Sequence, residues 1–346
     1  MERKTVQVVD HLPVPRLRIG YLLVRVVCVA LNPCDAKVVF QEDLAGMNFG
    51  TDYSGIVAET GYGYSKDWQK GDRIFGVIMG ANPLQPTDGA FAEYAVVKAD
   101  VQYRMPHYMT FETAASLGVG LGTAALGICH KLNLKINLDD EDDTKDQGNK
   151  HVFIYGGSTA TGTISIQLLR QAGYIPITTC SPKNFDLVKS YGAEAAFDYQ
   201  DPRCGQKILS FTRSKFTCAF DTISDRQSAR LCADVLSNDP SSAYCSTLPV
   251  SEPFQKKAIV PKRLLLWSGL GEPINFMGYT LPVVFEDFAY LKEWTFLAEA
   301  LLEERELTSH PVRFMHNGWE GIWKGLERIQ NSQVSGEKLV YTLSNP

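Results

Sequence analysis

The sequence predicts an α/β protein in which a doubly wound parallel sheet is combined with a compact β-rich domain. In the stretch 151–173, an apolar, β-rich run ends in a turn of small residues and gives way to apolar residues at helical spacing. A further strand candidate, 175–180, follows at once and completes a βαβ unit. Between residues 22 and 97, short β-runs follow one another closely, which is typical of a β-rich domain.

The stretch 151–173 reads as strand, glycine turn and helix. Residues 152–155 are the strand candidate, Ile164, Leu168 and Leu169 recur at helical spacing, and Gly173 fits a helix C-cap. Such a turn lets backbone N–H groups at the start of a helix face a phosphate, and the helix dipole favours the anion.

The turn departs from the strict G-x-G-x-x-G pattern of dinucleotide sites. Gly157 and Gly162 fit its first and third glycines, whereas Thr159 holds the middle place. After the second strand, where an NAD site would offer an acid to the ribose, the chain has Lys183 and no acid, which favours NADPH. The alternative is a nucleotide-free βαβ unit whose glycines serve only packing. The predicted cofactor contacts in this region are Ser158, Thr159, Ala160, Thr161, Ser181, Pro182, Lys183 and Asn184.

Composition limits the classes of function. The 346 residues, 45% of them hydrophobic, suffice for two domains, and the net charge of −5 argues against a nucleic-acid partner. No apolar segment follows Met1–Lys4 and no run of eighteen apolar residues occurs, so we expect a cytoplasmic protein that does not associate with membranes. The eight cysteines form no C-x-x-C pair, which indicates neither disulfides nor a zinc lobe.

Several ordered motifs precede the glycine turn. They are N-P-x-D at 32–35, G-x-D-x-x-G at 50–55, G-D-R-I-x-G at 71–76 and G-x-F-A-E-Y at 89–94. This series resembles the medium-chain dehydrogenase/reductase superfamily, in its zinc-free quinone-reductase and enoyl-reductase branch, over essentially the whole chain. The resemblance implies a Rossmann domain inserted in a GroES-like domain, with bounds 1–123, 124–271 and 272–346, the last segment returning to the first domain.

We predict no metal site. The zinc-dependent members of the superfamily carry G-H-E where this chain has Thr51–Tyr53, and they have a four-cysteine lobe that this chain lacks. His130 follows Cys129, but two adjacent residues of a helix point in different directions.

The resemblance also implies a substrate site. Residues 111–126 are helix-prone and rich in glycine, which allows close approach of the nicotinamide or substrate, or else only tight helix packing. In related reductases the equivalent of Thr123 lies by the nicotinamide. Thr123 is therefore one of two predicted catalytic residues in this chain. Residues 264–271 could be a buried strand and turn or the far wall of an acyl pocket, and the resemblance implies both. The implied substrate contacts are Ala124, Ala125, Leu126, Gly127, Ile128, Cys129, His130, Lys131, Leu266, Trp267, Ser268, Gly269 and Leu270.

Lys37, in the N-P-x-D-x-K segment, is the second predicted catalytic residue. It would bind the cofactor, polarise the substrate carbonyl or donate the proton; the alternative is an ordinary exposed lysine. Cys34 is interpreted as lining the cofactor and not as a nucleophile. Tyr199 is expected near the 2′-phosphate, unless it is only a strand-edge aromatic residue. The further implied cofactor contacts are Cys34, Asp35, Ala36, Lys37, Tyr199, Thr247, Leu248, Val334 and Ser335.

A closer resemblance lies in 155–161, 167–187 and 335–340, which are similar to the trans-acting enoyl reductases of fungal polyketide synthases (lovastatin-pathway type). It implies hydride transfer from NADPH to the β-carbon of an α,β-unsaturated polyketide thioester on an acyl carrier domain. The partner would be a polyketide synthase or a polyketide synthase–peptide synthetase hybrid.

Two rival functions remain open at this point. One is a stand-alone NADPH quinone or enone reductase, and the other is a protein that binds NADPH without turnover. The acidic run 139–150 is interpreted as a mobile surface loop, with a docking role as the alternative.

Overall fold

The computed structural model describes residues 6–41, 45–136, 150–250, 254–276 and 278–345. The chain divides into two compact units, unit 1 comprising Met1–Val119 and Trp267–Pro346, and unit 2 comprising Gly120–Leu266. Met1–Lys4 and residues 139–149 of the acidic run lie outside the described residues. Across the described ranges, none of the helices combines the length and the apolar character that a membrane span requires.

The regular elements follow in chain order. The strands are β1 (Tyr21–Ala30), β2 (Asp52–Thr60), β3 (Arg73–Val77), β4 (Tyr94–Lys98), β5 (Tyr103–Arg104), β6 (His151–Tyr155), β7 (Ile175–Cys180), β8 (Ala195–Asp198), β9 (Cys218–Asp221), β10 (Ala243–Ser246), β11 (Lys262–Arg263), β12 (Ile274–Phe276), β13 (Tyr279–Leu281), β14 (Val312–Met315) and β15 (Lys338–Thr342). The α-helices are α1 (Pro33–Gln41), α2 (Phe111–Ala115), α3 (Gly118–Ala124), α4 (Ala160–Gln171), α5 (Phe185–Ser190), α6 (Cys204–Thr212), α7 (Arg226–Val235), α8 (Phe285–Glu303) and α9 (Gly318–Gln330). A π-helix spans Ala125–Lys131, and 3₁₀ turns span Ala99–Val101, Pro182–Asn184 and Leu266–Leu270.

Unit 1 is built on a seven-stranded sheet in the order β14-β15-β1-β2-β3-β5, with β4 paired to the N-terminal half of β1. All its pairings are antiparallel except that of β14 with β15. The last strand returns to the first, since Val29 of β1 faces Tyr341 of β15. The closing segment therefore completes a sheet that begins more than 300 residues earlier in the chain.

The core of unit 1 comes from the strongly apolar sequence of β1. Leu22, Val24, Val26 and Val29 are buried in one cluster that also contains Tyr341. Successive side chains along a strand point to opposite faces of the sheet, and β-branched side chains pack well on a pleated surface. Burial of these side chains fixes the register in which β1 pairs with β2 and β15.

Unit 2 contains a six-stranded parallel sheet in the order β11-β10-β9-β6-β7-β8. The first strand, β6, lies in the middle, and the chain order reverses between β6 and β9. This is the doubly wound arrangement in which ligands bind beyond the carboxyl ends of the strands at the switch point. The predicted fold class, a Rossmann sheet combined with a GroES-like domain, is confirmed.

Local predictions agree with the structure at the glycine turn. The strand 175–180 is found as predicted, and the predicted helix is α4. Gly173 lies two residues beyond the end of α4 with φ +78°, the left-handed conformation that favours glycine after a helix.

Residues 264–271 correct one interpretation. They form the 3₁₀ turn 266–270 and not a buried strand. Gly271, at φ +70°, takes a backbone conformation that a strand does not allow. Local apolarity suggested a strand, but the late glycines favour a tight turn.

Candidate active site

The turn between β6 and α4 has no room for side chains at two of its glycines. A Cβ at Gly157 would lie 2.1 Å from the Thr178 Oγ1, and one at Gly162 would lie 2.4 Å from the Gly156 carbonyl oxygen. Gly156 itself has φ +86°. Glycine at these places therefore lets the turn and the start of α4 pack closely against β7 and the preceding backbone.

Thr159, which replaces the middle glycine of the pattern, is the N-cap of α4. Its Oγ1 accepts a hydrogen bond from the Gly162 N–H at 2.9 Å. Ser158, Ala160 and Thr161 are half-buried around it. A threonine at this place thus stabilises the helix start and preserves the strand–turn–helix geometry.

The ends of β7 and β8 bring further predicted residues to the carboxyl edge of the same sheet. The Gly157 N–H donates to the Thr179 carbonyl at 3.0 Å, which joins the turn to the end of β7. The 3₁₀ turn that follows leaves Pro182 and Lys183 exposed, Ser181 half-buried and Asn184 buried.

Tyr199 follows β8 and is half-buried. Its ring lies 6.1 Å from that of Tyr155, measured between centroids. Because parallel strands end at the same edge of a sheet, Tyr199 lies on the side of unit 2 where the glycine turn is found.

A hydroxyl holds the turn after β10. The Ser224 Oγ accepts from the backbone N–H groups of Thr247 at 2.9 Å and Leu248 at 3.2 Å. Asp221 positions Ser224, because its carboxylate accepts from the Ser224 N–H at 2.8 Å and from the Tyr244 hydroxyl at 2.8 Å. The predicted nicotinamide-side residues Thr247 and Leu248 therefore stand in a fixed turn.

The segment predicted to line the substrate is largely buried. Thr123 is 7% exposed, residues 124–129 are buried, and His130 and Lys131 are half-buried. Residues 125–131 form a π-helix, a rare geometry that is frequent at functional sites.

The glycines of this segment lie against apolar side chains of unit 2. A Cβ at Gly122 would lie 2.7 Å from Leu266 Cδ1, and one at Gly127 would lie 2.5 Å from the ring of Phe220. These contacts favour tight packing as the reason for those two glycines.

A pocket in unit 1 brings together residues predicted separately for the cofactor and the substrate. Cys34 and Asp35 line it together with Trp267 of the 3₁₀ turn. Its volume is about 60 Å³, which is room for several water molecules, since one water-sized probe needs roughly 10–15 Å³. The remaining lining residues are Val38, Phe49, Gly50, Thr51, Met79, Gly80, Ala81, Pro83, Asn275, Phe276 and Gly278.

Behind this pocket lies a buried polar network. The side-chain amide of Asn32 donates to the Thr51 Oγ1 at 3.0 Å and to the Asp52 Oδ2 at 2.9 Å. Asp35 Oδ2 accepts from the Asn32 N–H at 2.8 Å and from the Thr51 hydroxyl at 3.2 Å. The Lys338 ammonium donates to Asp52. The network joins three motifs that are far apart in the sequence.

Electrostatics favour the neutral forms of the groups around this network. Burial raises the pKa of Asp35 to about 7, and the charge of Asp52 acts in the same direction. Burial also raises the pKa of Cys34 well above its usual range, so its thiol stays protonated and is a poor nucleophile. Burial lowers the pKa of His310 to about 3, with the charge of Lys338 adding to the effect.

Asp35 Oδ1 is buried without a hydrogen-bond partner. An unpaired buried carboxylate oxygen is unfavourable, whereas a protonated carboxyl group leaves a smaller penalty. The geometry and the raised pKa of Asp35 thus agree.

Other predicted residues lie elsewhere in unit 1. Lys37 is exposed on α1 and does not line the pocket, although Ala36 beside it is buried. Val334 packs against the core of the unit, and Ser335 is exposed.

The rest of the 3₁₀ turn around Trp267 is mostly buried. Leu266, Gly269 and Leu270 are buried, and the half-buried Ser268 donates to the Asp287 carboxylate.

Sequence reasoning missed Asp52 and Lys338 as partners. Asp52 stands in the G-x-D-x-x-G motif and Lys338 in the segment 335–340, and membership in these two segments was the available signal. Within the part of the chain that the structure describes, no three His, Cys, Asp or Glu side chains are grouped so as to hold a metal ion.

Comparison with known proteins gives consistent matches. The family model of the alcohol dehydrogenase GroES-like domain matches residues 18–107. The chain is 38% identical over 352 residues to the trans-enoyl reductase FSL5 of Gibberella zeae, covering 99% of this chain and 95% of that protein. It is 36% identical over 338 residues to the trans-enoyl reductase caaB of Aspergillus niger, covering 96% and 92%.

Solved structures share the fold. An alcohol dehydrogenase superfamily protein from Novosphingobium aromaticivorans matches with a TM-score of 0.76 at 20% identity, covering 97% of this chain and 96% of that chain. The CurK enoyl reductase matches with a TM-score of 0.73 at 14% identity, covering 96% and 94%.

Proposed function

Because this chain belongs to the trans-enoyl reductases of the medium-chain dehydrogenase/reductase superfamily, we propose that it reduces an α,β-unsaturated polyketide thioester carried on an acyl carrier domain. As an enoyl reductase, it is an oxidoreductase that uses a nicotinamide cofactor. Its partner is a polyketide synthase, and a polyketide synthase–peptide synthetase hybrid falls within the proposal.

The turn between β6 and α4 carries the proposal, because it has the strand–turn–helix form of a dinucleotide site and lies at the switch point of the parallel sheet. The Cβ positions at Gly157 and Gly162 are filled by the Thr178 side chain and by the backbone of the turn, so glycine at both places keeps the turn and the start of α4 tightly packed. Residues 158–161 would hold the pyrophosphate at the N-terminus of α4, where the helix dipole favours an anion. A bound nicotinamide cofactor supplies the hydride.

NADPH is the proposed form of the cofactor. The turn after β7 offers the exposed Lys183 and no carboxylate between 181 and 184, which would favour a 2′-phosphate and leave a 2′-hydroxyl without an acceptor. Ser181 and Tyr199 are the proposed neighbours of that phosphate.

Lys183 tests the choice of cofactor. Lys183→Glu should raise the KM for NADPH and shift preference toward NADH, because it replaces the attraction to the 2′-phosphate with repulsion. Lys189→Glu, an equal charge change at the exposed end of α5, is the matched control. Unchanged selectivity in Lys183→Glu would refute the assignment.

Lys37 and Thr123 are the proposed catalytic residues. Lys37 would interact with the cofactor ribose or pyrophosphate, polarise the thioester carbonyl or deliver the proton, whereas Thr123 would lie by the nicotinamide. Lys37→Ala should lower kcat strongly while the free energy of unfolding changes little, since the side chain is exposed. Lys70→Ala, at another exposed lysine of unit 1, is the control. Near-normal turnover of Lys37→Ala would remove its catalytic role.

The reaction itself is tested by following NADPH oxidation by the purified enzyme. A short α,β-unsaturated acyl group is presented once as a pantetheine thioester and once on an acyl carrier domain, with NADH as the control. Reduction favoured by the carrier and by NADPH is expected. Equal activity on free enones or quinones would instead indicate a stand-alone reductase, and tight NADPH binding with no turnover would indicate a binding protein.

A further inference from the structure

Four cations lie within eight residues at one edge of unit 2. Lys256, Lys257, Lys262 and Arg263 stand in a window without any acidic residue, although the whole chain has a net charge of −5. β11, which contains Lys262 and Arg263, is the outermost strand of the parallel sheet, and both of its side chains are exposed. We call these four residues the basic edge.

The chain presents this edge between two buried anchors. Ile259 is 4% exposed and Leu264 is 1% exposed, and the Leu264 N–H donates to the Ser246 carbonyl at 2.9 Å. Between the anchors, Pro261 is exposed and Val260 is 81% exposed. The segment is therefore a ridge held to unit 2 at both ends, with an apolar side chain among its cations.

No described carboxylate neutralises the basic edge. Of the ion pairs found between described residues, none includes a member of this cluster. The Lys262 ammonium instead donates to the Lys131 carbonyl at 2.7 Å, which places it against the end of the π-helix. Lysines discourage the pairing of edge strands, but that role does not explain an outward-facing valine at their centre.

We propose that the basic edge docks the acyl carrier domain that bears the substrate, an inference that rests on the function proposed above. The pantetheine arm of a carrier is attached through a phosphodiester, so an anionic group lies at the surface where the arm begins. Cations that face such a surface accelerate encounter and fix orientation. Val260 supplies an apolar contact beside the cations of the basic edge.

The test compares the same acyl group on two supports. Lys257→Glu combined with Arg263→Glu, which leaves the Lys262 contact with Lys131 intact, is assayed with an α,β-unsaturated thioester on an acyl carrier domain and on free pantetheine. Lys189→Glu combined with Lys215→Glu makes the same charge change at exposed positions elsewhere on unit 2 and serves as the control. Carrier binding is also measured directly, by fluorescence anisotropy, because that measurement does not depend on turnover.

The expected result is a rise of at least tenfold in the KM and Kd for the carrier-borne substrate in the basic-edge variant alone. Its kinetics with the pantetheine thioester should be unchanged, and its deficit should shrink as salt rises, because added ions screen exposed charges. Failure of the unaltered enzyme to reduce the acyl group on either support would count against the proposed function, whereas carrier binding reports on the docking surface separately.

Two results would overturn the proposal. The first is a carrier Kd that is the same in the basic-edge variant and the unaltered enzyme. The second is a dimer of the unaltered chain, seen by sedimentation, that the basic-edge substitutions dissociate, because the edge would then be an interface between two copies.

Discussion

Lys338 of β15 forms an ion pair with Asp52 of β2 in which both side chains are almost fully buried, with 4% and 0% of their side-chain surface exposed. Asp52 also accepts from the Asn32 side chain at 2.9 Å and from the Val119 N–H at 2.7 Å. The pair ties the last strand of unit 1 to an early one, next to the wall of the pocket.

Removing one partner of this pair should destabilise the fold. Lys338→Met leaves the Asp52 carboxylate buried without its cation, and we expect a loss of about 3–5 kcal/mol in the free energy of unfolding. Urea denaturation measures it. Arg313→Met breaks the exposed Arg313–Glu337 pair and should cost less than about 1 kcal/mol. Equal losses in the two variants would contradict this account of Lys338.

Asp35 should make the protein less stable as the pH rises from about 4 to 7. Its folded pKa is about 7, whereas that of an unfolded aspartate is about 3.9. Between these values the folded state holds the extra proton, so the contribution of Asp35 falls by about 1.4 kcal/mol per pH unit. Besides burial, the groups that act on its pKa are Asn32, Asp52, Thr51 and Lys338.

Asp35→Asn should remove the contribution of Asp35, because an amide does not titrate, so the free energy of unfolding should fall less, or rise more, from about pH 4 to 7 than in the unaltered protein. The measurement is the free energy of unfolding in urea at several pH values from 4 to 8. Asp10→Asn, at an exposed aspartate, should keep the slope. The same slope in Asp35→Asn and the unaltered protein would show that Asp35 ionises normally.

His310 should act in the opposite direction at acid pH. Its folded pKa is about 3, whereas unfolded histidine titrates near about 6.5. The unfolded state therefore binds more protons between these values, and stability is lost as the pH falls from 6.5 toward 3. His310→Gln should lose less stability over that range in urea titrations. His11→Gln changes an exposed histidine, and the pH dependence of its free energy of unfolding should match that of the unaltered protein. The same pH dependence in His310→Gln and the unaltered protein would refute the prediction.

Gly157→Ala should weaken NADPH binding at least tenfold. Its new Cβ would lie 2.1 Å from the Thr178 Oγ1, and that hydroxyl is held by a hydrogen bond to the Ile154 carbonyl at 2.7 Å. The turn must therefore shift, which moves its N–H groups. Fluorescence titration with NADPH measures the loss.

Two variants control for this substitution. Gly205→Ala lies in α6, where the nearest atom would be a flexible leucine methyl at 3.2 Å, and should leave NADPH affinity unchanged. Adding Thr178→Ala to Gly157→Ala removes the two closest contacts, leaves the Cβ of residue 178 at 2.9 Å, and should restore part of the affinity. If Gly157→Ala binds NADPH normally, the turn does not hold the pyrophosphate as proposed.

The sequence by itself predicted the elements whose pattern is local. Side-chain periodicity within a few residues predicts the strand 175–180 and the helix that follows the glycine turn. Backbone freedom predicts Gly173 just after the end of that helix. Ordered motifs along the chain also identified the family, which comparison with its relatives confirms.

Only the tertiary structure decided how distant polar residues combine. Asp52 and Lys338 are separated by 286 positions, and their pairing exists because β15 returns to β1. The pKa of Asp35 depends on desolvation by side chains from several segments, which no local pattern encodes. The catalytic role of Lys37 stays a prediction, because its motif suggests that role and the structure shows only that its side chain is exposed on α1. Local sequence sets periodicity and turn geometry, but burial and pairing arise when remote segments pack together.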